Sequence, residues 1–82
     1  MTFGPFAAGL DPAERLARTR VMRALAVVFA CRHRTFIAAL CKAETDPAAL
    51  TDAFRLLEQL PSLIRRRLLA TYAHVARPNK GD

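Results

Sequence analysis

Glycine and tryptophan are scarce in this 82-residue chain, which has three glycines and no tryptophan. No glycine lies between Pro12 and Pro78. β-Sandwiches, barrels and collagen-like repeats need frequent turns or a glycine period, so the composition argues against them. Ala and Leu dominate instead, and 52% of the residues are hydrophobic. This composition predicts a folded, all-α protein rather than a disordered chain.

Long hydrophobic runs are also missing. The longest run covers residues 24–31, whereas a helix needs roughly 20 apolar residues to span a bilayer. The first ten residues have no basic stretch followed by a long apolar one, so they do not resemble a signal peptide. We therefore expect a cytoplasmic protein with no membrane span.

Cysteine and catalytic motifs are equally sparse. Cys31 and Cys41 are too few for a secreted disulfide framework. With His33 and His74 they are the only soft or imidazole metal ligands, and Cys31-x-His33 matches no standard zinc spacing. The chain has no paired carboxylates on an apolar face, no glycine-rich phosphate loop and no nucleophile elbow. We expect neither an enzyme nor a site for a metal or cofactor.

Two Asp-Pro pairs mark helix starts. Asp11 can cap a helix whose first residue is Pro12, and Glu14 stands where it can close a capping box. Asp46 and Pro47 repeat the cap-then-proline pattern. The pairs therefore predict helices that begin near residues 12 and 47.

Two periodic segments follow the second Asp-Pro pair. Apolar residues recur at helical spacing over residues 47–60 and again over residues 62–77. Pro61 leaves only a tight connection between the segments. They are therefore predicted to form a helical hairpin or a sharply angled pair.

The first helix is predicted over residues 12–43. A helix of about 30 residues is roughly 45 Å long, which exceeds the size of a compact domain of this mass. Arg32 also interrupts its apolar face, so the helix either bends or breaks near Arg32–Thr35 or continues with Arg32 at an interface. The absence of Gly, Pro and Asn there favours continuity. The residues that share the apolar face are Val21, Ala24, Leu25, Val28, Phe36 and Ala39.

The segment 24–31 is apolar on every side, and such a helix must be covered on every side. Two further short helices can hardly do this alone. The sequence thus predicts one helical domain over residues 1–82, with a leader loop over 1–10 and a flexible polar tail over 78–82. The domain is expected to be a small bundle of three helices that is completed by a homo-oligomer or by another protein.

Charge is distributed unevenly along the chain. The formal net charge is +6. Two basic regions, residues 1–44 and 62–82, flank the net acidic segment 45–61. Nearly all the cations are arginines, which suit contacts with carboxylates or phosphates. A solvated basic face would account for the same pattern, so charge alone does not predict a nucleic-acid partner.

The preferred hypothesis is a small protein–protein interaction module, such as an adaptor, regulatory subunit or inhibitor. It would bind through an apolar helix face with arginines at the rim, and an acidic protein partner would suit that rim. The residues predicted to contact the partner are Val28, Phe29, Arg32, Phe36 and Leu40.

The alternative hypothesis is a basic helical protein that binds nucleic acid through its last helix. The segments 47–60 and 62–77 can be interpreted as a helix-turn-helix, with basic side chains near the start of the second helix. The short connection and the lack of Asn or Gln on that helix weaken this interpretation. The residues it would use are Arg65, Arg66, Arg67 and Arg77.

Overall fold

The computed structural model describes residues 4–75, and all the regular structure in that range is helical. The predicted all-α class is therefore confirmed for this part of the chain. The predicted count of three helices is wrong, because this range contains four α-helices and a short 3₁₀ helix. These are the 3₁₀ helix Gly4–Phe6, then α1 (Pro12–Phe29), α2 (Arg34–Ala43), α3 (Ala49–Glu58) and α4 (Ser62–Val75).

The predicted first helix is divided into α1 and α2 by a turn at residues 30–33. Ala30 ends α1 at φ −129° and its N–H donates to Ala26 O, while His33 at φ −98° precedes α2. No non-glycine residue of the described range has a positive φ. A turn of this kind needs no Gly or Asn, so their absence was no evidence for a continuous helix. The break lets α2 fold back against α1, and the molecule is 37 Å along its longest axis.

The start of α1 follows the sequence signal in part. Asp11 accepts a hydrogen bond from the N–H of Ala13 at 3.1 Å, and Pro12 is the first helical residue. Glu14 does not close the predicted capping box. Its carboxylate accepts instead from Arg18 Nε at 2.7 Å, one turn further along the helix.

Helix α1 packs against both α2 and α4, and α3 packs against α2. Helices α3 and α4 make little contact with each other across their short connection. This arrangement favours the sharply angled pair over the packed hairpin. The buried core of the described residues is formed by Met22, Ala26, Ala30, Phe36, Leu40, Ala53, Leu57, Leu60, Leu68 and Tyr72.

The N-terminal leader packs on the bundle, although the sequence predicted only a loop. Gly4 and Pro5 are buried, and the ring of Phe6 lies 5.3 Å from that of Phe54. Gly4 has φ +56°, and a Cβ there would meet the ring of Tyr72 at 3.2 Å. The positive φ therefore favours glycine at this position, and a side chain there would also crowd the Tyr72 ring.

None of the helices within residues 4–75 combines the length and hydropathy needed to cross a membrane. The predicted polar tail at 78–82 and Arg77 lie outside the described residues.

Candidate functional site

Helix α1 is apolar on two opposite faces. Thr19, Met22 and Ala26 face the core and are fully buried. Val28 lies about 200° around the helix from Ala26, and 68% of it is exposed. The core therefore uses one apolar side of α1 and leaves the other in solvent.

The exposed side consists of Ala17, Val21, Ala24 and Val28, which we term the outward face. Their spacing of four, three and four residues places them in one row along the helix. Ala17 and Ala24 are exposed, and Val21 is half-buried. Val27 borders the row and is 49% exposed. The row is therefore exposed at Ala17, Ala24 and Val28, whereas Val21 packs partly against the core of the same chain.

The five predicted partner-contact residues divide between surface and core. Val28 and Arg32 are exposed, and Phe29 is half-buried beside the core. Phe36 and Leu40 are only 1% and 0% exposed. The turn after α1 rotates their helix inward, so both are core residues of this chain. They belong to no exposed contact surface.

The sequence interpretation also expected a single apolar face that runs through both α1 and α2. It grouped Val21, Ala24 and Val28 with the residues of α2 on a single face. In the structure Ala24 and Val28 are exposed and Val21 packs only partly against the core, while Met22 and Ala26 occupy the core side. Ala17 was missed altogether, although its spacing to the other three is visible in the sequence.

An acidic residue joins α1 to the end of α2 near one edge of the outward face. The carboxylate of Glu44 accepts a hydrogen bond from Arg23 Nε, and Arg20 Nε lies 3.6 Å from its other oxygen. The hydrogen bond from Arg23 to Glu44 raises the pKa of the guanidinium, with the nearby carboxylate charge adding to the effect. This network holds Arg20 at the rim of the outward face.

A basic region lies at the end of the molecule where α1 turns into α2. A shallow groove of about 360 Å³ there is bordered by residues of this turn and by residues from the end of α3. Arg32 also borders a second groove together with Ile64, so the start of α4 lies at the same end. The first groove is lined in part by Arg32, His33, Arg34, Leu56, Gln59 and Leu60.

The arginines predicted to bind nucleic acid have different environments. Arg65 donates to the backbone oxygen of Glu58 at 2.7 Å and so caps the end of α3. Arg66 and Arg67 are exposed and make no ion pair with any other residue of 4–75. Arg77 is beyond the described range. Of the four arginines, Arg65 thus makes a structural contact within the chain, and Arg66 and Arg67 remain on the surface.

The thiols and imidazoles do not assemble into a site. Cys31 and Cys41 are free and exposed. Across the part of the chain that the structure describes, no three His, Cys, Asp or Glu side chains are grouped so that they could hold a metal ion.

No protein-family model, curated protein or solved structure matches this chain. A function must therefore be inferred from the surface of the molecule itself. Two surface features stand out: the outward face of α1 and the basic end around Arg32. The first presents apolar area and the second presents positive charge, so both are suited to binding.

Proposed function

We propose that this protein is a small helical interaction module, acting in the cytoplasm as an adaptor, regulatory subunit or inhibitor. Its binding surface is the outward face of α1, with Arg20 and Arg32 at the rim. The observation that carries the proposal is the exposure of Val28, at 68%, within an apolar row on a well-packed helix.

The outward face has the features of a helix-binding surface. Full burial of a valine side chain contributes about 1.5–3 kcal/mol, and Val28 is the most exposed of the large apolar residues described. The small side chains of Ala17 and Ala24 allow a partner backbone to approach closely. The arginines at the rim favour a partner with acidic residues around its own apolar patch.

Site-specific photo-cross-linking tests this proposal. A photo-reactive amino acid replaces Ala24, in the middle of the outward face, and the protein is irradiated in cells of its source. The matched control carries the same group at Ala38, which is exposed on α2. Mass spectrometry then identifies each cross-linked protein, including a second copy of this chain.

We expect defined protein adducts at position 24 and few at position 38. A Val28→Asp substitution in the same protein should remove them, because it places a charge in the apolar contact. Equal labelling at both positions, or adducts that survive Val28→Asp, would contradict the proposed surface.

A second candidate function is binding of nucleic acid at the basic end. It is favoured by the exposure of Arg66 and Arg67, which lack ion-pair partners among residues 4–75. They lie near the start of α4, at the same end of the molecule as Arg32 and Arg34. These side chains are available for phosphate contacts, and each such contact releases counterions from the nucleic acid.

A salt series with a random DNA duplex tests this candidate. The Arg66→Gln/Arg67→Gln variant should bind more weakly, and its salt dependence should fall by about two phosphate contacts. The control is Arg55→Gln, since Arg55 is already paired with Asp52 at 2.7 Å. Absence of micromolar binding by the unmodified protein at low salt would eliminate this function.

A further inference from the structure

We infer that the groove beside the turn between α1 and α2 binds an acidic segment of another protein, with an aliphatic side chain of that segment in the groove and its carboxylates on Arg32 and Arg34. This inference goes beyond the proposed function, because the groove is a second surface and the chemistry of its partner is named. Its volume of about 360 Å³ lies near the lower limit for ligand sites. The groove therefore accommodates side chains of a peptide and is too small for a folded domain to enter.

The floor of the groove is apolar. Phe36 and Leu60 line it and are buried, and Leu56 beside them is half-buried. Leu56 thus presents apolar surface that is still accessible in the groove. An aliphatic side chain that covers this surface removes it from water, which favours binding.

The rim of the groove is positively charged. Arg32 and Arg34 are exposed, and neither makes an ion pair with another residue of 4–75. Both line the groove together with the polar side chain of Gln59. Glu58 is exposed and precedes Gln59, but no acidic residue of the described range lines the groove itself. The two guanidinium groups are therefore available to an anionic partner.

The chain's own carboxylates are used elsewhere. Apart from Glu58, each acidic side chain within residues 4–75 either forms an ion pair or accepts a hydrogen bond from a backbone N–H before a helix. The ion-paired residues are Glu14, Glu44 and Asp52, and the backbone acceptors are Asp11 and Asp46. The exposed Arg66 and Arg67, at the same end of the molecule as the groove, add further positive charge. This charge attracts an acidic segment and orients it on the rim.

A protein segment matches the groove better than a nucleic acid does. Single strands gain affinity when their bases stack on aromatic rings. Among the described residues that line this groove the aromatic side chain is Phe36, which is only 1% exposed. A duplex presents phosphates and would leave the surface of Leu56 uncovered. A peptide with both carboxylates and aliphatic side chains matches the arginines, through charge-assisted hydrogen bonds, and the apolar floor.

Fluorescence anisotropy with the purified full chain tests the chemistry of the partner. The probe is a short labelled peptide in which pairs of glutamates alternate with single leucines, and we expect it to bind in the micromolar range at low salt. A peptide with serine in place of leucine should bind about tenfold more weakly, because the apolar contact is lost. A peptide with glutamine in place of glutamate should lose at least as much. No binding of the probe at several hundred micromolar, or equal binding of the serine peptide, would overturn the inference.

Variants of the protein locate the site. Arg32→Gln/Arg34→Gln should weaken binding of the probe by at least about tenfold, because two charge-assisted contacts are removed. The matched control is Arg15→Gln/Lys42→Gln, which removes the same charge near the start of α1 and the end of α2. It should bind nearly as well as the unmodified protein. Equal weakening in the two variants would mean that the net charge alone attracts the peptide, and the groove would be excluded as its site. Circular dichroism confirms that the helices of each variant are intact.

A labelled single-stranded DNA oligonucleotide of the same length tests the nucleic acid in the same assay. The probe peptide should bind more tightly than the DNA at equal salt, and tighter binding of the DNA would overturn the inference. This result is independent of the outward face. Peptide binding without adducts at position 24 would disprove the outward face alone. Adducts at position 24 without peptide binding would disprove the groove and leave the proposed interaction function in place.

Discussion

The two faces of α1 are similar in composition and opposite in environment. Met22 has 0% of its surface exposed and Val28 has 68%, although both are apolar and belong to one helix. On the core side, Met22 is long and adaptable and Ala26 is small. The small side chain of Ala26 lets α2 and α4 pack closely on α1. An apolar helix surface therefore does not itself identify the core. The neighbouring helices select one side, and the other remains available for a partner.

Substitution of Met22 by alanine gives the largest expected contrast between the faces. It should lower the free energy of unfolding by about 2–5 kcal/mol, because it leaves a cavity in a filled core. Val28→Ala should change the stability of the monomer by less than about 0.5 kcal/mol, as is usual for surface sites. Urea unfolding measures both changes. Comparable losses in the two variants would show that Val28 is covered within the monomer.

The helices that the sequence predicted best are those with a proline or a capping side chain near their start. Helix α4 begins at Ser62, as expected after Pro61, and α3 lies inside the predicted segment 47–60. Asp46 accepts from the N–H of Ala48 at 3.1 Å and so orders the turn before α3. Prolines and capping side chains act through nearby backbone groups, and this is why they can be interpreted from the sequence alone.

The turn after α1 has no such marker. Its residues keep negative φ angles, so the turn does not require glycine or asparagine, and its stability comes from the packing of α2 on α1. A break near Arg32–Thr35 was one of the two alternatives, but continuity was favoured, and this preference explains why Phe36 and Leu40 were placed on an exposed face: the orientation of α2 decides which side of it is buried. Val28 and Arg32 were predicted to contact a partner, and both are exposed, Val28 near the end of α1 and Arg32 within the turn itself.

Tyr72 places a polar hydroxyl in the core on which α1 packs. Its hydroxyl is buried and has no hydrogen-bond partner among the described residues. Tyr72→Phe should therefore stabilise the protein by about 1 kcal/mol, since an unsatisfied buried hydroxyl is removed. Thermal unfolding measures the change. A loss of stability would show that the hydroxyl has a partner outside residues 4–75.

Tyr72→Phe should also change how the stability of the protein depends on pH. Burial raises the pKa of Tyr72 above the ordinary value of 10.0, and the charge of Arg18 opposes part of the increase. The folded state then holds the phenolic proton more tightly than the unfolded state. Stability is unaffected below the unfolded pKa of about 10 and falls as the pH rises from there through the folded pKa. Tyr72→Phe should lose this alkaline decrease.

The smallest expected effect concerns Glu44, which links the rim of the outward face to the bundle. Its side chain is 18% exposed and contacts both Arg20 and Arg23. Glu44→Gln should lower the melting temperature by at most about 3 °C at low salt, because both arginine partners are partly in solvent and such partly exposed ion pairs contribute little. The matched control is Glu58→Gln, whose exposed carboxylate has no ion pair within residues 4–75 and should change the melting temperature less. The difference between the two variants should disappear at 1 M salt, where the Debye length is about 3 Å. A difference that persists at high salt would mean that Glu44 stabilises the α1–α2 contact by hydrogen bonding and packing, and that the rim is held by more than charge.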